Sequence, residues 1–335
     1  MKSYEIPEFG IDNLRITERE MPRPAADEVL VKFHAVSLNY RDVMVANGMY
    51  NPRMKLPAVP FSDGAGEVVE VGANVTKWKI GDRVCPTVIS GWINGEPTAE
   101  KSKTAIGAGN FDGVLREFGA FTEESVVAVP ETLFFEEAAT LPCAALTAWN
   151  ALVVSGKIKA GDTVLTLGTG GVSIFAVQFA KLFGAKVIAT SSSNEKLDRV
   201  KQLGADETIN YRETVDWDKA VIELTGGRGV DHVIEVGGMG TLEKSVKAVR
   251  VGGHIALIGA LNVSGEFNPI PIFMKGIRVQ GIFIGSRTMF EEMNAKIEVT
   301  GLKPVIDRVF EFDQAKEALK YMESGSHFGK VVVRI

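Results

Sequence analysis

Val164-Leu165-Thr166-Leu167-Gly168-Thr169-Gly170-Gly171-Val172-Ser173 is the stretch on which the reading of the whole chain turns. A short apolar run of strand character leads directly into a glycine-rich turn, and the turn leads into an amphipathic helical pattern over 172–183. Glycine lets a backbone turn sharply and come close to a pyrophosphate, whose charge is then stabilised by the N–H groups and positive dipole end of the helix. The sixth position of the usual fingerprint is Ser173 instead of glycine, and serine is small enough for close helix packing. A glycine-rich turn alone is as often a structural turn, but one set between strand and helix at the head of repeated units reads as a dinucleotide cradle.

Working outward, strands are expected at 186–190, 207–210, 230–236, 254–259 and 279–284, with helices at 195–203, 217–224 and 241–249. This alternation predicts an α/β domain, a parallel sheet with helices on both faces. An acidic side chain at the end of the second strand would hold a ribose 2′-hydroxyl. The sequence there is Thr190-Ser191-Ser192-Ser193-Asn194-Glu195-Lys196, which offers hydroxyls and a lysine, so NADP(H) is expected in preference to NAD(H). The plainer reading of the same run is a helix N-cap followed by a solvated lysine.

Upstream of the cradle the pattern changes. The run EVLVKFHAVS at 28–37 alternates like a strand with one buried face, further alternation appears at 66–71 and 121–129, and 87–119 reads as a long surface loop. Downstream, a helix at 315–324 and a strand at 330–335 close the chain.

With 335 residues the chain is long enough for two domains. Its 45% hydrophobic and 24% charged residues are those of a folded enzyme. A net charge of -5 argues against a nucleic-acid partner. Two cysteines, Cys85 and Cys143, need no disulfide framework and suit a reducing cytoplasm. Pro7 and charges interrupt the N-terminus where a signal peptide would be apolar, and no uninterrupted apolar run approaches the roughly 18 residues of a membrane span, so no membrane partner is expected.

Three further stretches, taken with the cradle, resemble the medium-chain dehydrogenase/reductase superfamily over nearly the whole chain. They are Pro60-Phe61-Ser62-Asp63-Gly64-Ala65-Gly66 with the later Gly81-Asp82-Arg83-Val84, Leu38-Asn39-Tyr40-Arg41-Asp42, and Ala138-Ala139-Thr140-Leu141-Pro142-Cys143. The resemblance implies a GroES-like β-barrel catalytic domain over 1–143 and 286–335, a doubly wound Rossmann domain over 144–285, and an active site in the cleft. It implies cofactor contacts at Asn39, Thr147, Gly168, Gly170, Gly171, Val172, Ser192, Lys196, Tyr211, Gly259, Phe283 and Lys330, with Lys196 and Tyr211 near the 2′-phosphate.

Zinc-dependent members of that superfamily place a cysteine where this chain has Asn39 and a histidine where it has Ser62. Cys143 falls where some members carry the third ligand, and one thiolate cannot hold a catalytic zinc that takes three protein ligands. The lobe that carries four cysteines in those members holds only Cys85 at its edge, so no metal is expected. Cys143 and the four histidines, His34, His232, His254 and His327, read as packing or structural residues.

Without zinc an alkoxide is poorly stabilised, whereas a quinone or α,β-unsaturated carbonyl spreads its negative charge and needs only hydrogen-bond donors. The expected function is NADPH-dependent reduction of such acceptors, with catalytic candidates Asn39, Ser62 and Tyr50, and Tyr40 as a second phenol. Arg41 and Asp42 read as an ion pair fixing their loop, Asp63 as support for the same wall, and Trp92 as either a pocket wall or a pin for the long loop. The alternatives are a zinc-independent alcohol dehydrogenase and, from another class, a non-enzymatic nucleotide- or RNA-binding or structural protein. The apolar strand at 279–284 is expected at a sheet edge, open to pairing in a homodimer.

Overall fold

The alternation that begins at Glu28 continues for eleven residues, Glu28–Leu38, and most of that strand is buried on both faces, not one. It is flanked on either side by partners, which explains the difference. In chain order the strands of this region are β1 (Lys2–Glu5), β2 (Arg15–Glu18), β3 (Glu28–Leu38), β4 (Asp63–Val71), β5 (Arg83–Pro86), β6 (Phe118–Thr122) and β7 (Val126–Ala128), with helix α1 (Tyr40–Ala46) after β3. The run read as a single strand at 121–129 is two strands, because Glu123 and Glu124 sit in a 3-10 turn, Glu123–Ser125, between them. The expected loop 87–119 carries a short helix, Ala99–Ser102, and the isolated bridges Ile89–Ala105 and Ile106–Phe111, and its last two residues begin β6.

From Thr163 the chain alternates: β8 (Thr163–Leu167), α2 (Gly171–Leu182), β9 (Lys186–Ser191), α3 (Asn194–Gln202), β10 (Glu207–Asn210), α4 (Trp217–Leu224), β11 (Val230–Glu235), α5 (Leu242–Ala248), β12 (Val249–Leu257) and β13 (Arg278–Gly281). All the pairings are parallel, and the order across the sheet is β10-β9-β8-β11-β12-β13. The chain leaves β8 in one direction and, after β10, returns to continue from β11 in the other. A crevice therefore opens beyond the C-terminal ends of β8 and β11, the place where doubly wound sheets bind ligands. The fold is mixed α/β with a GroES-like part and a Rossmann-type parallel sheet.

Helix α6 (Arg287–Thr300), β14 (Ile306–Phe310), α7 (Ala315–Glu323) and β15 (Lys330–Arg334) follow. β15 pairs antiparallel with β3, placing Val331 opposite Leu38, so the C-terminal strand lies within the first sheet, whose main path is β14-β15-β3-β4-β5-β7. The fourteen-residue α6 has no counterpart among the expected elements.

The computed structural model describes residues 1–259 and 265–335. They cluster into two units, Met1–Leu146 with Ile284–Ile335, and Thr147–Phe283. The first has a core built on Phe33, Phe61, Val68 and Phe121, joined by Leu319, Met322 and Val331 from the C-terminal region. The second packs Leu165, Ile188, Val221, Val233 and Ile255. The helical run Phe135–Ser155 has the length and apolar composition of a bilayer span, yet 78% of its apolar window is buried in the protein, as in the core helix of a folded domain.

Candidate active site

In the first unit the site is built by strand pairing. Ser37 of β3 lies opposite Asp63 at the start of β4, and Leu38 lies opposite Val331 of β15. Asn39, Ser62, Asp63 and Lys330 therefore meet at one end of three neighbouring strands. Lys330, which is 2% exposed, donates from Nζ to Leu38 O and to Asn39 Oδ1, both at 2.7 Å, and stands 3.9 Å from Asp63 Oδ2. Asp63 accepts the Ser62 hydroxyl at 2.8 Å and the backbone N–H of Cys143 at 3.1 Å. Burial pushes the Asp63 carboxyl up, and Lys330 pulls it back.

Asn39 and Ser62 are consequently inward-facing. Asn39 gives its carbonyl oxygen to Lys330, and its Nδ2 is covered. Ser62 is fully buried with its proton on Asp63. The Ser62 hydroxyl is thus engaged with Asp63, while the covered Asn39 Nδ2 has no hydrogen-bond partner within the protein. The buried Lys330 ammonium donates to the Asn39 carbonyl oxygen and the buried Asp63 carboxylate accepts the Ser62 hydroxyl, because unpaired charges in a core are expensive. Lys330, expected at the cofactor, has two of its donors committed to this network.

Tyr50, by contrast, is 38% exposed, and Tyr40 is 39% exposed at the start of α1. Next to Tyr40, the buried carboxylate of Asp42 accepts the Asn39 backbone N–H at 2.8 Å. Burial raises the Asp42 carboxyl to about 7, against the pull of Arg41. The expected Arg41–Asp42 ion pair is long, at 3.9 Å. Arg41 makes better contacts elsewhere, donating to Ile106 O at 2.7 Å and lying over the Tyr50 ring at 5.1 Å. Trp92 is buried with Nε1 on Gly95 O at 2.8 Å, which makes it a pin for its loop.

In the second unit, Gly168 directly follows β8 at φ 71 with open space where a Cβ would project. Gly170 precedes α2 without a side-chain cap, so the first N–H groups of the helix, at Gly171 and Val172, point outward. Ser173 is buried and donates its hydroxyl to Leu167 O at 2.7 Å, tying helix to strand where the common fingerprint has glycine. A phosphate fits this cradle. Ser193 caps α3, accepting the Lys196 backbone N–H at 3.3 Å, and Tyr211 N–H donates to Ser191 O at 3.0 Å. Ser192, Lys196 and Tyr211 thus gather at the ends of β9 and β10, where no residue from Ser191 to Asn194 is acidic. Thr147 is buried, Phe283 is 36% exposed after β13, and a Cβ on Gly259 would meet Val236 O at 2.0 Å. Gly259 is therefore glycine because the ends of β11 and β12 approach so closely.

Sequence reasoning passed over Glu235. Its buried carboxylate, at the C-terminal end of β11, accepts Gly237 N–H at 2.8 Å, Gly238 N–H at 3.1 Å, the Thr241 hydroxyl at 2.5 Å and the Ser245 hydroxyl. The pair of glycines following a strand-final glutamate was the available signal. Three of the histidines are held in contacts away from the strand-end network: His232 contacts Asp162 at 3.1 Å and His254 contacts Ser155 at 3.1 Å, while His34 stacks on Phe135.

Residues 25–132 match the family described as alcohol dehydrogenase GroES-like domain, and 171–299 match zinc-binding dehydrogenase. A zinc-type alcohol dehydrogenase-like protein of Schizosaccharomyces pombe is 44% identical over 334 residues, 97% of this chain and 96% of that protein. The chain belongs to the medium-chain dehydrogenase/reductase superfamily. Within that superfamily it is quinone oxidoreductase-like: human quinone oxidoreductase is 30% identical over 336 residues, covering 97% of this chain and 95% of that one. A crystal structure described as an NAD-dependent alcohol dehydrogenase superposes with a TM-score of 0.92 at 34% identity, with both chains covered in full. This medium-chain dehydrogenase/reductase is an oxidoreductase.

Some members of the superfamily carry zinc, and the residues at those ligand positions do not fit it here. Asn39 and Ser62 are an amide and a hydroxyl already engaged, and burial pushes the Cys143 thiol up to about 12, whereas zinc takes a thiolate. Among the described residues no group of three or more His, Cys, Asp or Glu is placed to hold a metal ion.

Proposed function

We propose that this chain is an NADPH-dependent reductase of quinones, α,β-unsaturated carbonyls or related carbonyls that works without zinc. The observation that carries the reading is the closed Asn39–Lys330–Asp63–Ser62 network at the metal-ligand positions. With its donors turned inward and no Lewis acid, the site suits acceptors whose negative charge is delocalised, and it is ill suited to stabilising a simple alkoxide.

NADPH supplies the hydride when bound. The N–H groups of the Gly168–Val172 turn hold its pyrophosphate, and Ser192, Lys196 and Tyr211 favour the 2′-phosphate in the absence of a carboxylate at the end of β9. Thr147, Gly259 and Phe283 complete the cofactor contacts. Tyr50 gives the proton to the reduced acceptor from an exposed phenol, while Asn39 and Ser62 hold the wall behind it.

A second reading is zinc-independent alcohol oxidation; the alcohol dehydrogenase names of two relatives, one of them called zinc-type, favour its reaction but not its independence of zinc. Both are separated by product analysis: incubation with NADPH or NADH and a panel of quinones, enones and aldehydes, and with NADP⁺ and alcohols. Faster NADPH consumption with quinones or enones is the expected result. Turnover confined to alcohols would sink the reductase reading.

The functional unit is a homodimer. Edge strand β13 has one free side, and Ile270, Phe273 and Met274 are exposed just before it. The setting is the cytoplasm, in keeping with free Cys85 and Cys143.

A further inference from the structure

Tyr50 lies in a stretch without regular secondary structure between α1 and β4, and such a segment does not by itself hold a side chain in one place. A proton donor, however, must be placed to within a fraction of an ångström of the atom it serves. Arg41 supplies what the segment lacks. Its side chain is 9% exposed, projects from the first turn of α1, donates to Ile106 O at 2.7 Å and lies over the Tyr50 ring at 5.1 Å. One guanidinium thus joins three pieces of chain: α1, the Tyr50 segment and the stretch around Ile106.

A second tie runs parallel to it. Asn51, next to Tyr50, donates from Nδ2 to Ala108 O at 3.1 Å, and a Cβ on Gly109 would come within 2.8 Å of that same Nδ2. Asp42, the expected partner of Arg41, is too distant at 3.9 Å for a hydrogen bond and leaves the guanidinium free to face the ring.

We propose that Arg41 is the positioning residue for Tyr50 as proton donor, a role that rests on the reductase reading above. In the step it serves, hydride from NADPH forms a C–H bond on the acceptor and NADPH becomes NADP⁺. As the acceptor's conjugated π bond shifts onto oxygen, the Tyr50 O–H bond breaks, its proton goes to the resulting enolate oxyanion, and the phenolate regains a proton from water. Arg41 fixes the ring for that transfer, and its charge faces the negative charge that the ring carries until it is reprotonated. Lysine does not replace it, because a compact ammonium cannot spread its charge over the ring while a fixed N–H reaches Ile106 O.

The test is a double-mutant cycle on the full-length protein with Arg41→Met and Tyr50→Phe. Tyr50→Phe is expected to lower kcat by about 10²-fold or more. Arg41→Met alone should lower kcat by roughly tenfold or more with little change in KM for NADPH, and should lower it less than about twofold in the Tyr50→Phe background. Equal kcat losses from Arg41→Met in both backgrounds would make its role merely structural and overturn the proposal, as would a fully active Tyr50→Phe.

A second measurement needs neither cofactor nor acceptor. In protein labelled with 3-fluorotyrosine there are five tyrosine signals, and Tyr50 is assigned by its loss in Tyr50→Phe. Arg41→Met should shift or broaden the Tyr50 fluorine signal and leave those of Tyr4, Tyr211 and Tyr321 in place. An unmoved Tyr50 signal overturns the clamp even if the enzyme proves to reduce enones. A wild type that reduces no acceptor while this signal moves refutes the reductase reading and leaves the clamp standing.

Discussion

Asp42 shows how one buried carboxyl reports on its surroundings. Its folded value is raised to about 7 from an ordinary 3.8 because burial disfavours the charge more than Arg41 relieves it. A carboxyl raised in the folded state contributes stability below its unfolded value, and that contribution is lost as pH rises through the folded one. The Asp42→Asn variant keeps an oxygen for the Asn39 N–H and has no proton to lose. It should therefore gain stability relative to wild type between pH 4 and pH 7. Urea unfolding at both pH values checks this, and an unchanged difference would contradict the burial argument. The same scale explains what the sequence hid about the site. Asn39 and Ser62 were legible as replacements for metal ligands, but their hydrogen-bond direction depends on Lys330, which is 291 residues from Asn39 along the chain. Only pairing of β15 with β3 makes them neighbours.

At the scale of elements, the second unit was the more legible part. Strands buried in a parallel sheet and helices with one apolar face carry their own periods, and β8, α2, β9, α3, β10 and α4 fall at or within a residue or two of the expected bounds. The element that went unread, α6, has its apolar residues Phe290, Met293 and Ile297 at helical spacing, diluted by charges. Its punctuation was nevertheless present, with Ser286 capping the start and Gly301 in the left-handed region at φ 65 closing the end. The turn after β11 illustrates an element held from inside. Burial pushes the Glu235 carboxyl up, and its four donors pull it down. Glu235→Gln sets an NH2 group against at least one of those donors and should lower the unfolding free energy by about 1–3 kcal/mol. Denaturant unfolding that shows no loss would mean the turn is held by its backbone alone.

At the scale of the molecule, the sheet of the second unit ends on β13, and the exposed Phe273 and Met274, each about 70% accessible, precede that edge. Phe273→Asp combined with Met274→Asp should convert the proposed dimer to monomer in light scattering at micromolar concentration. A wild type already monomeric there would remove the dimer from the account. The first unit could not be assembled from periodicity alone, since its sheet joins strands from both ends of the chain and only the resemblance implied the return of the tail.

If hydride passes from NADPH to the acceptor without zinc, it does so in protein exhaustively treated with chelator and shown to be metal-free, where NADPH consumption with an enone or quinone is measured. Undiminished turnover is expected, faster with NADPH than with NADH, with no gain on adding zinc. Activity that vanishes on chelation and returns with zinc would contradict it.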